Sequence, residues 1–415
     1  MKIARVALYH VSIPCPAPFY PTWIPGYPQT HNTFDLIRLT TDEGIEGWSA
    51  GAAMGREREG LGDLIGAYLI GLDPTNIDLV HQRLKEASYL GWRNYWIEPA
   101  FWDIIGKAKG QPVYELLGGK ARRLPVYCST GELHSPEQRA EEALQIKAKG
   151  FKGIKLRVKS PHFQDDVAQL RAVREALGSD YLIAVDANQG WRVTIVDDIP
   201  AWTWERAAEF AKACEDYQIA WLEEPLDARD YDGLAHLRTK ARTKIAGGEL
   251  NYGWDELKIM LEKQSLDIYQ PDATFAGGIA TARRVMQACR ERGLGFSPHT
   301  WTNGIGFYIN QQVMLADPEN DLPLEYPYEP PGWVPEVRDG ILTEPIKVDY
   351  DGTVDPPTAP GLGFSIDMEK LKRYGKKFYE TSQAGLAINL IRSKGLRQAL
   401  PLMMKKRQEG KGQKV

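Results

Sequence analysis

The chain has 415 residues, of which 43% are hydrophobic and 26% charged, with a formal net charge of −4. These values exclude a fibrous or low-complexity chain and fit a globular protein long enough for two domains. The four cysteines (Cys15, Cys128, Cys214 and Cys289) show neither CxxC nor metal-ligand spacing. That excludes a disulfide scaffold or a zinc ribbon and fits reduced, buried thiols. Met1-Lys2-Ile3-Ala4 leads straight into a strand pattern, without a signal peptide or a membrane-length apolar run, so a cytoplasmic protein with no membrane contact is expected.

In chain order, strand patterns at Ala4–Ile13 and Thr33–Thr40 are followed by a turn at Asp42-Glu43-Gly44. Helical patterns run from about Leu61 to Lys85 and from Pro99 to Lys109, with a helix stop at Leu116-Leu117-Gly118-Gly119. Grouped strands and helices predict an α+β domain over residues 1–123. From Leu124 the rhythm changes. Apolar runs recur near 124–128, 153–158, 181–185, 218–222, 243–247, 266–270, 293–297 and 321–325, mostly with helical stretches between. Eight such runs at barrel spacing predict a (β/α)8 TIM-like barrel over 124–343, within the α/β class. A doubly wound sheet is the weaker alternative, because no glycine-rich phosphate turn follows the first run. The Pro/Gly-rich stretch 326–368 is expected to run back over the first domain, with 344–370 as the return segment. Residues 371–415 read as a basic helical extension. From Lys370 onward, 13 Lys/Arg face only Glu380 and Glu409, so the tail carries +11 and the remainder −15. No nucleic-acid module accompanies that charge, and none is expected as a partner.

Three of the runs end in carboxylates: Asp186 in Val-Asp-Ala-Asn, Glu223 in Leu-Glu-Glu-Pro and Glu249 in Gly-Gly-Glu. In a parallel barrel all three lie on one face, where they would repel one another without a cation. All-oxygen ligation favours Mg²⁺ over zinc or iron. Lys155 and Arg157, two apart on a strand, point the same way. His299 ends the seventh run, Asp272 the sixth and Glu325 the eighth, so an imidazole can be oriented by a neighbouring carboxylate.

The ordered set Lys-x-Arg, Asp-Ala-Asn, Glu-Glu-Pro, Gly-Gly-Glu, Gln-Pro-Asp and Pro-His resembles the enolase superfamily, in its mandelate racemase branch. The stretch from Phe101 through Gly119 and the late Pro-Gly-Leu-Gly-Phe resemble family signatures as well. The resemblance implies that residues 1–123 form a capping domain. It also implies a Mg²⁺ site at Asp186, Glu223 and Glu249, and removal of the proton α to a substrate carboxylate by His299 paired with Asp272. Lys155 would neutralise the carboxylate, Asn188 would contact a substrate hydroxyl, and Glu325 would act as a donor or acid. Ser129 is a fainter match for a carboxylate contact. The apolar loop near 16–32, with Phe19, Tyr20, Trp23, Ile24 and Tyr27, would act as a lid, Trp23 and Tyr27 touching substrate; Arg56, Glu57 and Arg58 would form a second lid loop. The partners implied are a small-molecule carboxylate and further copies in a homo-oligomer.

One position departs from the racemase pattern. Racemases of this branch carry a second lysine where this chain has Arg157, and an arginine is a poor proton acceptor. Racemisation needs bases on both faces, whereas elimination of water can use one histidine. The sequence therefore leans toward a sugar-acid (aldonate or aldarate) dehydratase giving a 2-keto-3-deoxy acid. Lys155 or Lys159 as a second base would restore a racemase or epimerase, and a non-catalytic binding protein on the same fold is the third reading.

Overall fold

A computed structural model describes all residues except 54–56, 92, 402–403 and 405–415, and leaves the side chains of 57–61 and 63 undescribed. The chain opens with β1 (Ile3–Phe19), β2 (Gln29–Thr41) and β3 (Glu46–Ala52). β1 and β2 form a long antiparallel hairpin, and Gly44, at φ +82°, supplies the turn into β3. Helices α1 (Glu57–Leu69), α2 (Ile77–Leu90), α3 (Glu98–Lys109) and the short α4 (Val113–Leu116) follow. The helical pattern read from about Leu61 to Lys85 is divided between two helices. Gly71 takes φ +88° and Pro74 follows, a pairing that ends one helix before Asn76 caps the next.

The barrel strands are β4 (Leu124–Ser129), β5 (Gly153–Arg157), β6 (Leu182–Asp186), β7 (Trp221–Glu223), β8 (Lys244–Gly247), β9 (Ile268–Tyr269), β10 (Gly295–Phe296) and β11 (Leu324–Pro327). Each falls on one of the eight apolar runs, extending past it by at most two residues. They pair in parallel in the order β10-β9-β8-β7-β6-β5-β4-β11, and Ser297 Oγ donates to the Pro323 carbonyl at 2.7 Å where the two end strands approach. Between them run α5 (Pro136–Ala148), α6 (Phe163–Leu177), α7 (Trp204–Asp216), α8 (Tyr231–Lys240), α9 (Gly253–Lys263), α10 (Gly278–Glu291) and α11 (Gly304–Leu315). This is a (β/α)8 barrel with an N-terminal antiparallel cap. Apolar side chains such as Ile154, Leu156 and Val158 face the helices, and an inner cluster of Tyr127, Ala184, Trp221, Ala246 and Ile268 closes the barrel floor.

After β11 come α12 (Pro335–Arg338), β12 (Thr353–Val354), α13 (Met368–Tyr374), β13 (Gly375–Ser382) and α14 (Gln383–Lys394). Residues of the 344–370 segment make hydrogen bonds to the first domain. Val113 N–H donates to the Gly361 carbonyl at 2.9 Å, and Leu362 N–H donates to Asp103. The extension read as helical includes a strand among its described residues. β13 pairs with β1 and becomes an edge of the N-terminal sheet, because Thr381 is buried beneath it and the Tyr379 ring packs where Gly62 and Gly66 lack side chains. Among the described residues no helix is long and apolar enough to cross a membrane.

The two domains are joined by carboxylates that accept backbone N–H groups across the interface. Glu98, fully buried in α3, accepts from Ile279 (2.8 Å) and Ala280 (3.1 Å) in the first turn of α10, whose own N-cap is a glycine without a side chain to offer. It also accepts from Trp102 Nε1 at 2.7 Å and lies 3.1 Å from His81. Removing that carboxylate orphans one buried and several part-buried groups at once. Glu98→Ala is therefore expected to lower stability by about 2–4 kcal/mol, and Glu98→Gln by less. Urea unfolding checks this, and a Glu98→Ala loss below 1 kcal/mol contradicts it.

Candidate active site

The barrel brings ten of the twelve expected site residues together at the carboxyl ends of its strands, and the remaining two, Trp23 and Tyr27, lie on the hairpin tip above. Asp186 and Glu223 end β6 and β7, Glu249 follows β8 by two residues, and Glu325 lies in β11. Lys155 and Arg157 both point inward from β5, as alternation requires.

The ammonium of Lys155 lies 2.6 Å from Glu223, 2.8 Å from Glu325 and 3.6 Å from Asp186. Burial opposes its charge, yet Glu223, Glu325 and Asp186 outweigh that and raise its pKa. Arg157 donates from Nε to the Thr130 carbonyl (2.6 Å), from Nη1 to Asp186 and to Asn188 (3.3 Å), and from Nη2 to Ser129 (3.3 Å). His299 places Nδ1 3.0 Å from Asp272 and Nε2 3.3 Å from Glu249. Asp272 is fixed in turn by Thr274 and Asn310, which leaves its other oxygen for the imidazole. Burial pushes His299 down, but Glu249, Glu325 and Asp272 together raise it to about 10.

Charge at the barrel mouth does not balance. Asp186, Glu223, Glu224, Glu249, Asp272 and Glu325 are six buried carboxylates, and Lys155, Arg157 and His299 are three cations. Glu224 shows the deficit most plainly. Both its oxygens are buried without a hydrogen-bond partner, and burial, then Glu249 and Asp186, drive its pKa well above the carboxylate range. Negative charge in excess on an all-oxygen donor set fits a hard divalent cation held by Asp186, Glu223 and Glu249. Each of the three is now drawn to a cation of the chain: Asp186 to Arg157, Glu223 to Lys155, Glu249 to His299. Neighbours the sequence reading missed orient them further, with Gln270 Nε2 donating to Glu223 at 2.8 Å and Trp191 Nε1 to Glu249 at 3.2 Å. Gln270 was visible in the Gln-Pro-Asp motif; nothing marked Trp191.

Lys159 is not placed to act as a second base. It is buried, with Nζ 2.8 Å from Asp197 and 3.3 Å from the Thr22 carbonyl. Arg56 lies outside the described residues, and the side chains of Glu57 and Arg58 are likewise undescribed.

Above the site is a cavity of about 1180 Å³ bounded by Arg157, Asn188, Glu249, His299, Trp23 and Tyr27, among others. The hairpin tip between β1 and β2 covers it. Phe19 packs on Trp23, Trp301 and Trp333 at centroid distances of 5.8, 5.8 and 5.4 Å, while Tyr27 stays 64% exposed. Backbone bonds reinforce the seat. Thr22 donates to the Gly131 carbonyl through N–H (2.9 Å) and Oγ1 (2.6 Å), and Tyr20 N–H donates to Glu132 at 2.6 Å. Against this, the indole N–H groups of Trp301 and Trp333 are buried without partners, a cost of about 1–3 kcal/mol each.

Glu132 is held by a second charged cluster. Among the described residues, only His134, Glu142 and Glu329 bring three metal-ligand atoms within 4.8 Å of one another. That cluster already holds its own cations. Arg139 pairs with Glu329 at 3.0 Å and Glu142 at 2.9 Å, and His134 sits between Glu132 and Glu142. Hydrogen bonds to Glu132 and Glu142 raise the His134 pKa to about 9 from 6.5, against burial and the Arg139 charge. Its folded pKa lies above the unfolded one, so the clamp's contribution is complete below about 6.5 and disappears as pH rises through about 9. Discounted for partial exposure, it is worth about 1–2 kcal/mol. Urea unfolding of the wild type and of His134→Gln at about pH 6 and about pH 9.5 is expected to differ by that amount at the lower pH and to converge at the higher. Parallel curves contradict the clamp.

Comparison with known proteins identifies the family. Residues 13–118 match the model of the mandelate racemase / muconate lactonizing enzyme N-terminal domain, and residues 138–370 match that of the enolase C-terminal domain-like family. The chain is 30% identical over 365 residues to the L-talarate/galactarate dehydratase of Salmonella typhimurium, covering 84% of this chain and 83% of that protein. It is 28% identical over 303 residues to an N-succinyl-L-Arg/Lys racemase of Bacillus cereus, covering 71% and 78%. A crystal structure of an L-talarate/galactarate dehydratase variant liganded with Mg and L-glucarate superposes with a TM-score of 0.77 at 25% identity, covering 92% of this chain and 93% of that one. The chain belongs to the mandelate racemase / muconate lactonizing enzyme family of the enolase superfamily.

Proposed function

We propose that the protein is a Mg²⁺-dependent dehydratase of a sugar acid, an aldonate or aldarate, releasing water and a 2-keto-3-deoxy acid. The observation that carries this reading is a single accessible base among the described residues. His299 faces the cavity with its far nitrogen fixed by Asp272. Across from it, Arg157 is committed to four hydrogen-bonded partners, and Lys155 and Lys159 are buried in ion pairs. The dehydratase relative and the Mg-liganded structure of an L-talarate/galactarate dehydratase variant support the same class.

When bound by Asp186, Glu223 and Glu249, Mg²⁺ supplies a charge that polarises the substrate carboxylate. Lys155, released from part of its acid pairing, neutralises that carboxylate. His299 Nε2 takes the proton from the carbon α to it, and Asp272 stabilises the imidazolium that forms. The proton then goes from His299 to the hydroxyl on the β carbon, the C–O bond breaks and water leaves. The enol left behind tautomerises to the keto acid. Asn188, oriented by Arg157, offers an amide to a substrate hydroxyl, and Glu325, held by the Thr300 N–H at 2.8 Å, lies beside the carboxylate site. The hairpin tip excludes water, which strengthens each of these charge interactions.

Incubating the purified protein and Mg²⁺ with a panel of sugar acids is expected to yield keto acid from at least one of them. His299→Asn is expected to lower turnover by about 10³-fold while leaving the fold and Mg²⁺ binding intact. Keto-acid formation undiminished in His299→Asn contradicts the assignment of the base. Exchange of the α proton in D₂O without loss of water moves the reading to a racemase or epimerase.

A further inference from the structure

Arg157 is the point at which the hairpin tip and the acid site meet. The carbon of its guanidinium lies 5.3 Å from the ring centre of Trp23 and 5.1 Å from that of Trp301. Those two rings meet edge to face, 5.0 Å apart at 77°. The three groups therefore make a nearly equilateral triangle. The guanidinium is not sandwiched between parallel rings; it sits in the notch of an edge-to-face pair. One wall of the notch belongs to the tip, and the other stands two residues beyond His299.

The N–H groups of the same guanidinium turn the other way, to Thr130, Asp186, Asn188 and Ser129. Asp186 also accepts the Asn188 backbone N–H at 2.8 Å, so the guanidinium bridges both ends of one tight turn. Asn188 holds φ at +47°, a conformation such tethering helps maintain. Were the tip to lift, Trp23 would leave with it and the notch would lose a wall. Without that wall the guanidinium would be held on one side only, and the tether it makes between Asp186 and Asn188 would loosen. A planar, delocalised cation can make ring contacts and directed hydrogen bonds at once, which a lysine ammonium cannot reproduce.

We propose that Arg157 is a positioning residue that couples closure of the hairpin tip to the alignment of Asp186 and Asn188. The proposal rests on the reading of Asp186 as a Mg²⁺ ligand, not on the reaction catalysed. It is tested by calorimetric titration of the full-length protein with Mg²⁺ alone, so a failed sugar-acid assay leaves it standing. Trp23→Ala is expected to weaken Mg²⁺ binding about three- to tenfold, the range a lost cation–π contact allows, and Trp23→Phe to recover most of it. In an Arg157→Lys background, Trp23→Ala is expected to add less than about twofold. The proposal is overturned by an equal loss in both backgrounds, by an unchanged affinity in Trp23→Ala, or by wild-type protein that binds no Mg²⁺. Thermal melts of each variant separate these outcomes from unfolding, and Trp23→Phe keeps the comparison available if Trp23→Ala does not fold.

Discussion

Six carboxylates buried among three cations set the terms for this structure. Water would screen that charge cheaply, but the barrel mouth is capped from above and closed from below by Tyr127, Trp221 and Ile268. In such surroundings each unpaired carboxylate is expensive, and the fold answers by spending every cation it has. Lys155 is shared among Asp186, Glu223 and Glu325, Arg157 reaches Asp186 as well, and His299 is caught between Asp272 and Glu249. A residual deficit persists at Glu224. The site is strained toward a dication by its own composition, and a cation that satisfied it would release Lys155 and His299 for a substrate.

The same device, a carboxylate receiving backbone N–H groups, holds the domains in register. Glu98 reaches the first turn of α10, and Asp103 accepts from Trp48 and from Leu362 in the return segment. Neither touches the cavity. Both decide where the N-terminal sheet stands on the barrel, and hence where the β1–β2 hairpin delivers its tip. Chemistry at the barrel mouth thus depends on interface hydrogen bonds well removed from it.

Sequence made the barrel legible because its signal is local. An apolar run ending in a polar residue, repeated eight times, survives without tertiary information, and alternation along β5 sufficed to aim Lys155 and Arg157 inward. Ordered motifs then assigned Asp186, Glu223, Glu249, Asp272 and His299 to one face. What escaped notice was non-local. β13 reads as a basic amphipathic stretch and becomes a strand only because the edge of β1 is open and Gly62 and Gly66 admit Tyr379. The break between α1 and α2 turns on a left-handed glycine within an otherwise helical pattern. Glu98 looks like any first-turn acid of its own helix, and only the fold shows it capping another. Trp301 and Trp333 gave no periodic signal, since the partner that makes them a cluster lies on the hairpin tip.

Replacing a lysine by Arg157 in the family pattern exchanges one capacity for another. A lysine at this position could lose its proton and serve as a base, at the cost of a mobile, point-like contact with its neighbours. Arginine stays charged and gives up proton transfer. In return its plane can be read from the side and from the face independently, with hydrogen bonds toward Asp186 and Asn188 and rings above. On the proposed reading, the departure that leaves His299 as the single accessible base among the described residues is the same one that would let the barrel sense its cover. A one-base elimination gains most from such sensing, because its imidazolium must keep the proton until the β hydroxyl takes it. Water admitted before that point would let the proton escape.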